Sequence, residues 1–249
     1  MLAIEDKPYS RFLRSLGARL PRPRAIVLFS AHWESTVQQV STVERYRTIY
    51  DFGGFPPELY QVTYPAPGDP KLAEEIGQLL SKEGVAYRTE GARGLDHGAW
   101  CVLRTLYPGA DVPVVAMSVN ADISPEEQFR IGQALASLRA SDVLIMCSGV
   151  TIHNFSTVRL KEPEGAADPW AVEFDDWVLK KATEWDLKAL FNYEAEAPHA
   201  RLAVPPQGRE HFVPLFYALG AAGDKPAVKE LYRGYDFGNL SYVVWQFGQ

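Results

Sequence analysis

Five histidines are spread along 249 residues, and four of them, His32, His97, His153 and His211, fall at or near the expected ends of strands and helices. Imidazole ligates divalent transition metals and exchanges protons near neutral pH. A lone histidine is more often structural or merely exposed than a ligand, so context decides. His32 closes the apolar run Ala25-Ile26-Val27-Leu28-Phe29 and is followed by Trp33, an apolar wall. His153 follows the run Val143 to Cys147 within a few residues and precedes Asn154, a candidate orienting partner. His97 lies between Gly94 and Gly98, which permit close approach of a backbone or a substrate. Its neighbour Asp96 is a candidate to fix its tautomer. Glu210-His211 places a carboxylate and an imidazole on one turn, whereas His199 has only loop context and is read as non-functional.

These spacings exclude the short-range zinc motifs: there is no H-x-x-x-H, no C-x-x-C and no H-E-x-x-H. Ligands drawn from separate strand ends fit a catalytic metal with an open position better than a structural zinc knot. Imidazole-dominated sites of that kind suit Fe(II), Zn(II) or Mn(II). A nucleophile elbow is absent, and no G-x-G-x-x-G follows a strand, which leaves a nucleotide fold unsupported.

The elements that must position these groups alternate between two periods. Ala25 to Phe29, Val112 to Val119 and Val143 to Gly149 read as core strands, the first buried on both faces. Thr36 to Thr42 is polar enough for an edge strand, Val85 to Thr89 is a further strand, and Val228 to Tyr232 and Ser241 to Trp245 should complete the sheet. Helices are predicted over Ser10 to Leu20, from Asp69-Pro70 to Gly84, over Ala99 to Tyr107, from the Ser124-Pro125-Glu126-Glu127 capping box to about Arg139, from Asp168-Pro169, and over Phe212 to Ala222. Tyr50 to Tyr60, aromatic and rich in Gly and Pro, reads as an ordered loop covering a site. The expectation is one α/β domain over residues 1–249, a three-layer arrangement of a central mixed sheet with helices on both faces.

Composition narrows the partners. At 47% hydrophobic and 22% charged the chain can bury a large core. A net charge of -6 and the lack of any basic block argue against nucleic acid or an anionic membrane. No apolar run is long enough for a membrane span and no secretory leader is visible, while Cys101 and Cys147 read as buried free thiols. A cytoplasmic location is expected.

Taken in order, Ser30-Ala31-His32-Trp33, Tyr50-Asp51-Phe52-Gly53-Gly54-Phe55-Pro56 with Leu59-Tyr60, Tyr64-Pro65-Ala66-Pro67-Gly68, Gly94-Leu95-Asp96-His97-Gly98-Ala99-Trp100, Tyr107 to Pro113, Ser148-Gly149 with His153-Asn154, and Glu210-His211-Phe212-Val213-Pro214-Leu215 form a specific set. The set resembles the class III extradiol ring-cleaving dioxygenases of the DOPA type over nearly the whole chain. The resemblance implies one non-haem divalent metal, Fe(II) or Zn(II), held by His32 and His211, with His153 either a further ligand or the acid/base. It makes His97 the histidine that meets substrate or oxygen. It further implies a small aromatic substrate, a catechol, consumed with O₂ and walled by Trp33, Phe55, Tyr60 and Asp96. One departure stands out: the family's first strand ends in a His-Gly-Ser-Pro turn whose histidine is a ligand, and Met1-Leu2-Ala3-Ile4-Glu5 aligns just after it, so that strand and its imidazole are expected to be missing here. The alternatives are a zinc-dependent hydrolase on the same fold, in which the metal activates water, and a catalytically incomplete binding protein.

Overall fold

In the computed structural model, residues 4–163, 165–224 and 226–248 are described. The expectation about the family's first strand concerns Met1 to Ala3 and what would precede them, outside those residues. The chain forms two compact units, Met1–Asp122 with Ala134–Ser148, and Ile123–Gln133 with Gly149–Gln249.

In the first unit α1 (Pro8–Arg19) leads into β1 (Ala25–Glu34). Every residue from Ala25 to Phe29 is fully buried, as an unbroken apolar run requires of a strand covered on both faces. β2 (Gln38–Ser41), α2 (Pro70–Lys82), β3 (Tyr87–Glu90), α3 (His97–Leu106), β4 (Val114–Val119) and β5 (Val143–Ser148) complete it. The five strands lie in the order β3-β2-β4-β1-β5. β1 runs parallel to β4 and β5, β2 parallel to β3, and β2 meets β4 antiparallel, so the sheet is mixed. Helix α2 packs on β2, β3 and β4, and α3 on β1 and β5. Two expectations are corrected here. β2 is not an edge strand, since β3 pairs beyond it, and β5 is not a core strand: among the described residues it lies at the edge of the sheet and is half-buried along most of its length. Short polar strands look like edges, but pairing is chosen by partners far along the chain, which local polarity does not report.

In the second unit α4 (Pro125–Ala134) starts at the expected box, Ser124 and Glu127 bonding reciprocally at 2.9 and 3.2 Å. It stops at Ala134, short of Arg139, and a 3-10 turn (Ala136–Ser141) follows in the first unit. α5 (Pro169–Glu184), the short helices α6 (Leu187–Phe191), α7 (Tyr193–Glu196) and α8 (Ala200–Ala203), α9 (Pro214–Ala221), and the strands β6 (Val228–Asp236) and β7 (Leu240–Phe247) make up the rest. Asp168 precedes α5 as expected, but its carboxylate bonds Asn239 and pairs with Arg159 instead of capping the helix. β6 and β7 do not complete the sheet; they form a separate antiparallel hairpin. Their tight connection lets each satisfy the other, so neither needs a long-range partner.

Two glycines hold α4 against α9. A Cβ at Gly132 would lie 2.0 Å from the Tyr217 carbonyl oxygen, and one at Gly220 would lie 1.9 Å from that of Phe129. Neither clash is with a flexible side chain, so the helices would have to separate. Gly220→Ala is expected to cost about 3 kcal/mol, read as a lower midpoint in chemical denaturation. An unchanged midpoint would mean that the helices do not approach this closely in solution.

A buried carboxylate lies in the same unit. Asp175 of α5 accepts hydrogen bonds from Tyr235 (2.8 Å) and Ser241 (2.6 Å) and is fully buried. Burial raises its carboxyl above the ordinary 3.8, against the opposing pull of these donors and of the Arg233 charge. The folded state therefore keeps this proton to a higher pH than the unfolded chain does. The group's contribution to stability is complete below the unfolded value and declines as pH rises through the folded one. Asp175→Asn, neutral throughout, is expected to flatten that part of the Tm profile. Parallel profiles for variant and parent between pH 3.5 and 7 would contradict this.

Candidate active site

Among the described residues, two groups of side chains offer donor atoms within 4.8 Å of one another: His32 with Asp51 and His97, and His153 with Glu210 and His211. Each group lies within one unit.

The first is built by β1, the Tyr50–Tyr60 loop and the start of α3. Pairing between β1 and β4 slips between Phe29 and Glu34, the stretch that carries Ser30 and His32. Such irregularities re-aim side chains beside sites. Gly98 permits the placement of His32, because a Cβ there would lie 2.6 Å from the His32 ring. Gly98 thus admits an imidazole of the same unit. The His32 and His97 ring centroids are 4.0 Å apart and tilted by 53°. His97 is not in a turn but is the first residue of α3, capped by Asp96. The expectation that Asp96 fixes the His97 tautomer is corrected: its carboxylate accepts from Ser30 Oγ (2.7 Å) and from the Ala99 amide (3.0 Å). The acid beside His97 is Asp51, whose Oδ1 accepts the His97 main-chain N–H at 2.9 Å. Oδ1 also lies 3.0 Å from His97 Nδ1, and Oδ2 lies 3.5 Å from His32 Nδ1. The His97 ring N–H is not aimed along that 3.0 Å line, so the contact is electrostatic more than a directed hydrogen bond. Burial alone would raise the Asp51 carboxyl; the His97 donors and charge outweigh it and hold it at about 2.

Aromatic rings gather on the same loop. Phe52 stands edge-on to His97 (5.4 Å) and to Phe55 (5.4 Å), and lies 5.2 Å from Tyr60. Tyr50 donates to the Val62 carbonyl and Trp100 to that of Ile49, which pins both ends of the loop. The loop ends in a 3-10 turn (Pro57–Gln61), more regular than its composition suggested. Phe55 and Tyr60 are exposed at 40% and 36%, whereas Trp33 and Asp96 are buried. Arg93 lies over the Trp33 ring and donates to the His32 carbonyl at 3.0 Å.

The second group depends on a main-chain splice. The Val150 amide donates to the His211 carbonyl at 2.8 Å, and a Cβ at Gly149 would lie 2.3 Å from that oxygen. The splice brings His153 onto His211, their rings stacked at 3.6 Å and 14°. His211 occupies a 3-10 turn (Arg209–His211) before α9, and its Nδ1 is 2.8 Å from Glu210 Oε1. Burial would raise the Glu210 carboxyl, but the His211 bond and the attraction of His211 and His153 lower it. An ionised carboxylate only accepts, so a neutral His211 carries its proton on Nδ1 and its lone pair on Nε2, the arrangement of a metal-binding imidazole. Asn154 does not orient His153 as expected; its amide donates to the Leu202 carbonyl at 2.9 Å and its oxygen accepts from Ser156. His199 is exposed and pairs with Glu173. Cys101 and Cys147 are unpaired thiols, Cys101 buried, which pushes it up to about 12, and Cys147 half-buried.

Sequence reasoning missed Asp51. The signal was present: an acid set among Tyr, Phe, Gly and Pro has no evident reason to be there unless it is held.

An α/β fold with imidazole and carboxylate donors at strand and helix ends defines a class of metal-dependent enzymes. Residues 5–245 match the catalytic LigB subunit of aromatic ring-opening dioxygenase, and the chain belongs to this family. It is 41% identical to a 4,5-DOPA dioxygenase extradiol of Beta vulgaris, over 99% of this chain and 92% of that protein. It is 37% identical to the 4,5-DOPA dioxygenase extradiol of Escherichia coli K12, over 100% of this chain and 91% of that protein. The crystal structure of uncharacterized protein JW3007 from Escherichia coli K12 superposes with a TM-score of 0.82 at 34% identity, covering 98% of this chain and 94% of that one. Enzymes of this family use a non-haem metal and act on aromatic rings with O₂. No helix among the described residues is long and apolar enough to cross a membrane.

Proposed function

We propose that this protein opens the ring of a DOPA-like catechol with O₂ in an extradiol reaction, using one non-haem divalent metal, Fe(II) or Zn(II). The observation that carries the reading is that the histidines of the Ser-Ala-His-Trp, Leu-Asp-His-Gly and Glu-His-Phe motifs all stand beside carboxylates that polarise them. The donor set fits such a metal, being nitrogen and oxygen without thiolate. His211, oriented by Glu210, is the metal ligand proposed here. Held by these residues, such a metal would supply open positions for a catechol and O₂ and, as Fe(II), redox chemistry that Zn(II) lacks.

His153 is better suited to proton transfer than to ligation. An imidazole binds a metal through the lone pair in its ring plane. Two rings stacked at 3.6 Å and 14° hold those lone pairs nearly parallel, so one ion cannot lie in both planes. His153 is therefore the group that takes a proton from a catechol hydroxyl, and His97 is a further candidate to hold or return one. Phe55 and Tyr60 offer exposed faces to a planar ring, whereas Trp33 and Asp96 are buried. The cytoplasm is the proposed compartment.

The test is oxygen uptake. Protein loaded anaerobically with Fe(II) and mixed with L-DOPA is expected to consume O₂ in equal amount to the catechol lost, with a ring-opened semialdehyde as product. Hydrolysis of an ester or amide under Zn(II), with no oxygen consumed by either metal form, would replace this reading by the hydrolase.

A further inference from the structure

The first unit contains a carboxylate shared by two imidazoles. Asp51 Oδ1 lies 3.0 Å from His97 Nδ1 and Oδ2 lies 3.5 Å from His32 Nδ1, while Oδ1 also accepts the His97 main-chain N–H. The loop that presents Asp51 is pinned at both ends, so this placement does not depend on the side chain alone. We infer that Asp51 is a positioning residue that sets the tautomer of both His32 and His97, keeping a proton on each Nδ1 and a lone pair on each Nε2.

The argument is electrostatic. An ionised carboxylate has only lone pairs to present. A neutral imidazole turned to the Nε2–H form would place a nitrogen lone pair near it at 3.0 Å, which is repulsive even off-axis; the Nδ1–H form places the positive end of an N–H there instead. The preference does not need ideal hydrogen-bond alignment, because charge acts over the full separation in a partly desolvated place. One carboxylate bridging two rings also couples them: whatever moves the Tyr50–Tyr60 loop moves both tautomer preferences together. The inference rests on the ring-cleavage reading for its kinetic consequence but not for its structural one.

Asp51→Asn separates the roles. Its carbonyl still accepts the His97 main-chain N–H, so a purely structural contribution survives. Its NH₂ takes the place of Oδ2 and faces His32 Nδ1, which removes the bias against the Nε2–H form at that ring. In long-range ¹⁵N–¹H spectra of the metal-free, full chain above the imidazole pKa, both rings of the parent are expected to be in the Nδ1–H form, assigned through His32→Gln and His97→Gln. In Asp51→Asn the Nε2–H form is expected to become at least equally populated at His32, while His97, which still faces the Oδ1 oxygen, changes less. The Fe(II)-loaded variant is expected to lose about 10–100-fold in kcat for L-DOPA, with KM little changed, the usual effect of losing a partner behind a functional histidine. Unchanged tautomers in Asp51→Asn, or an Nε2–H form already dominant in the parent, overturns the proposal. If the parent consumes no O₂ with the catechol, the ring-cleavage reading fails, and the spectra of the metal-free protein still decide Asp51. Asp51→Ala, which also removes the main-chain acceptor, measures the stability contribution separately by its melting temperature.

Discussion

Replacing His153 with alanine is expected to lower kcat for catechol ring opening by about 10²–10⁴-fold, with bound metal retained. The expectation follows from the stack: His153 lies parallel to His211 at 3.6 Å, out of position to share an ion bound in the His211 plane. An acid/base removed from that place leaves the substrate bound but its hydroxyl proton without an acceptor. The fold should survive, since the splice that holds this segment runs through the Val150 amide and the His211 carbonyl, not through the His153 ring. Metal content decides the role. Stoichiometric metal with collapsed kcat identifies an acid/base; metal lost with activity identifies a ligand. Undiminished turnover removes His153 from the mechanism.

Replacing His211 with alanine is expected to strip the metal and with it oxygen uptake. Glu210 holds the His211 proton on Nδ1 at 2.8 Å, which makes Nε2 the donor. Losing an outer partner such as Glu210, as in Glu210→Gln, costs about 10–100-fold in metal affinity. Losing the ligand itself should cost more than that. His211→Ala keeps the main-chain carbonyl that Val150 needs, so the melting temperature of the metal-free protein should change little. Metal analysis after dialysis against a dilute chelator, for parent and both variants, orders the three. A His211→Ala protein that still holds one ion per chain would remove His211 from the ligand set.

Much of this architecture is local in origin and could be read without coordinates. The fully buried run Ala25 to Phe29, the Ser124–Glu127 box and the proline starts of α2 and α5 each follow from the residue types that make them. The α/β class and the ring-opening dioxygenase family follow too, because ordered motifs survive in the linear chain. What depends on choice of partner does not. β6 and β7 have the composition of sheet strands, yet they pair with each other, since a tight antiparallel connection costs less loop entropy than joining a distant sheet. β5 is as apolar as a central strand, yet has a neighbour on one side only.

The site divides along the same line. Which residue types can ligate a metal or carry a proton is a property of the side chains, so His32, His97, His153 and His211 were visible as candidates from the amino-acid sequence. Glu210 stands beside His211 as its neighbour in the chain, but which acid stands beside His32 and His97 is a matter of tens of residues of separation and of a loop closed by single hydrogen bonds. Asp96, adjacent to His97, is turned away because the first turn of α3 needs its carboxylate as a cap. Asp51, far back in the chain, takes that place because Tyr50 and Trp100 pin its loop beside the same helix. Sequence adjacency fixes only that two residues are joined; which way their side chains face is decided by the backbone groups each must satisfy, and that accounting closes only in three dimensions.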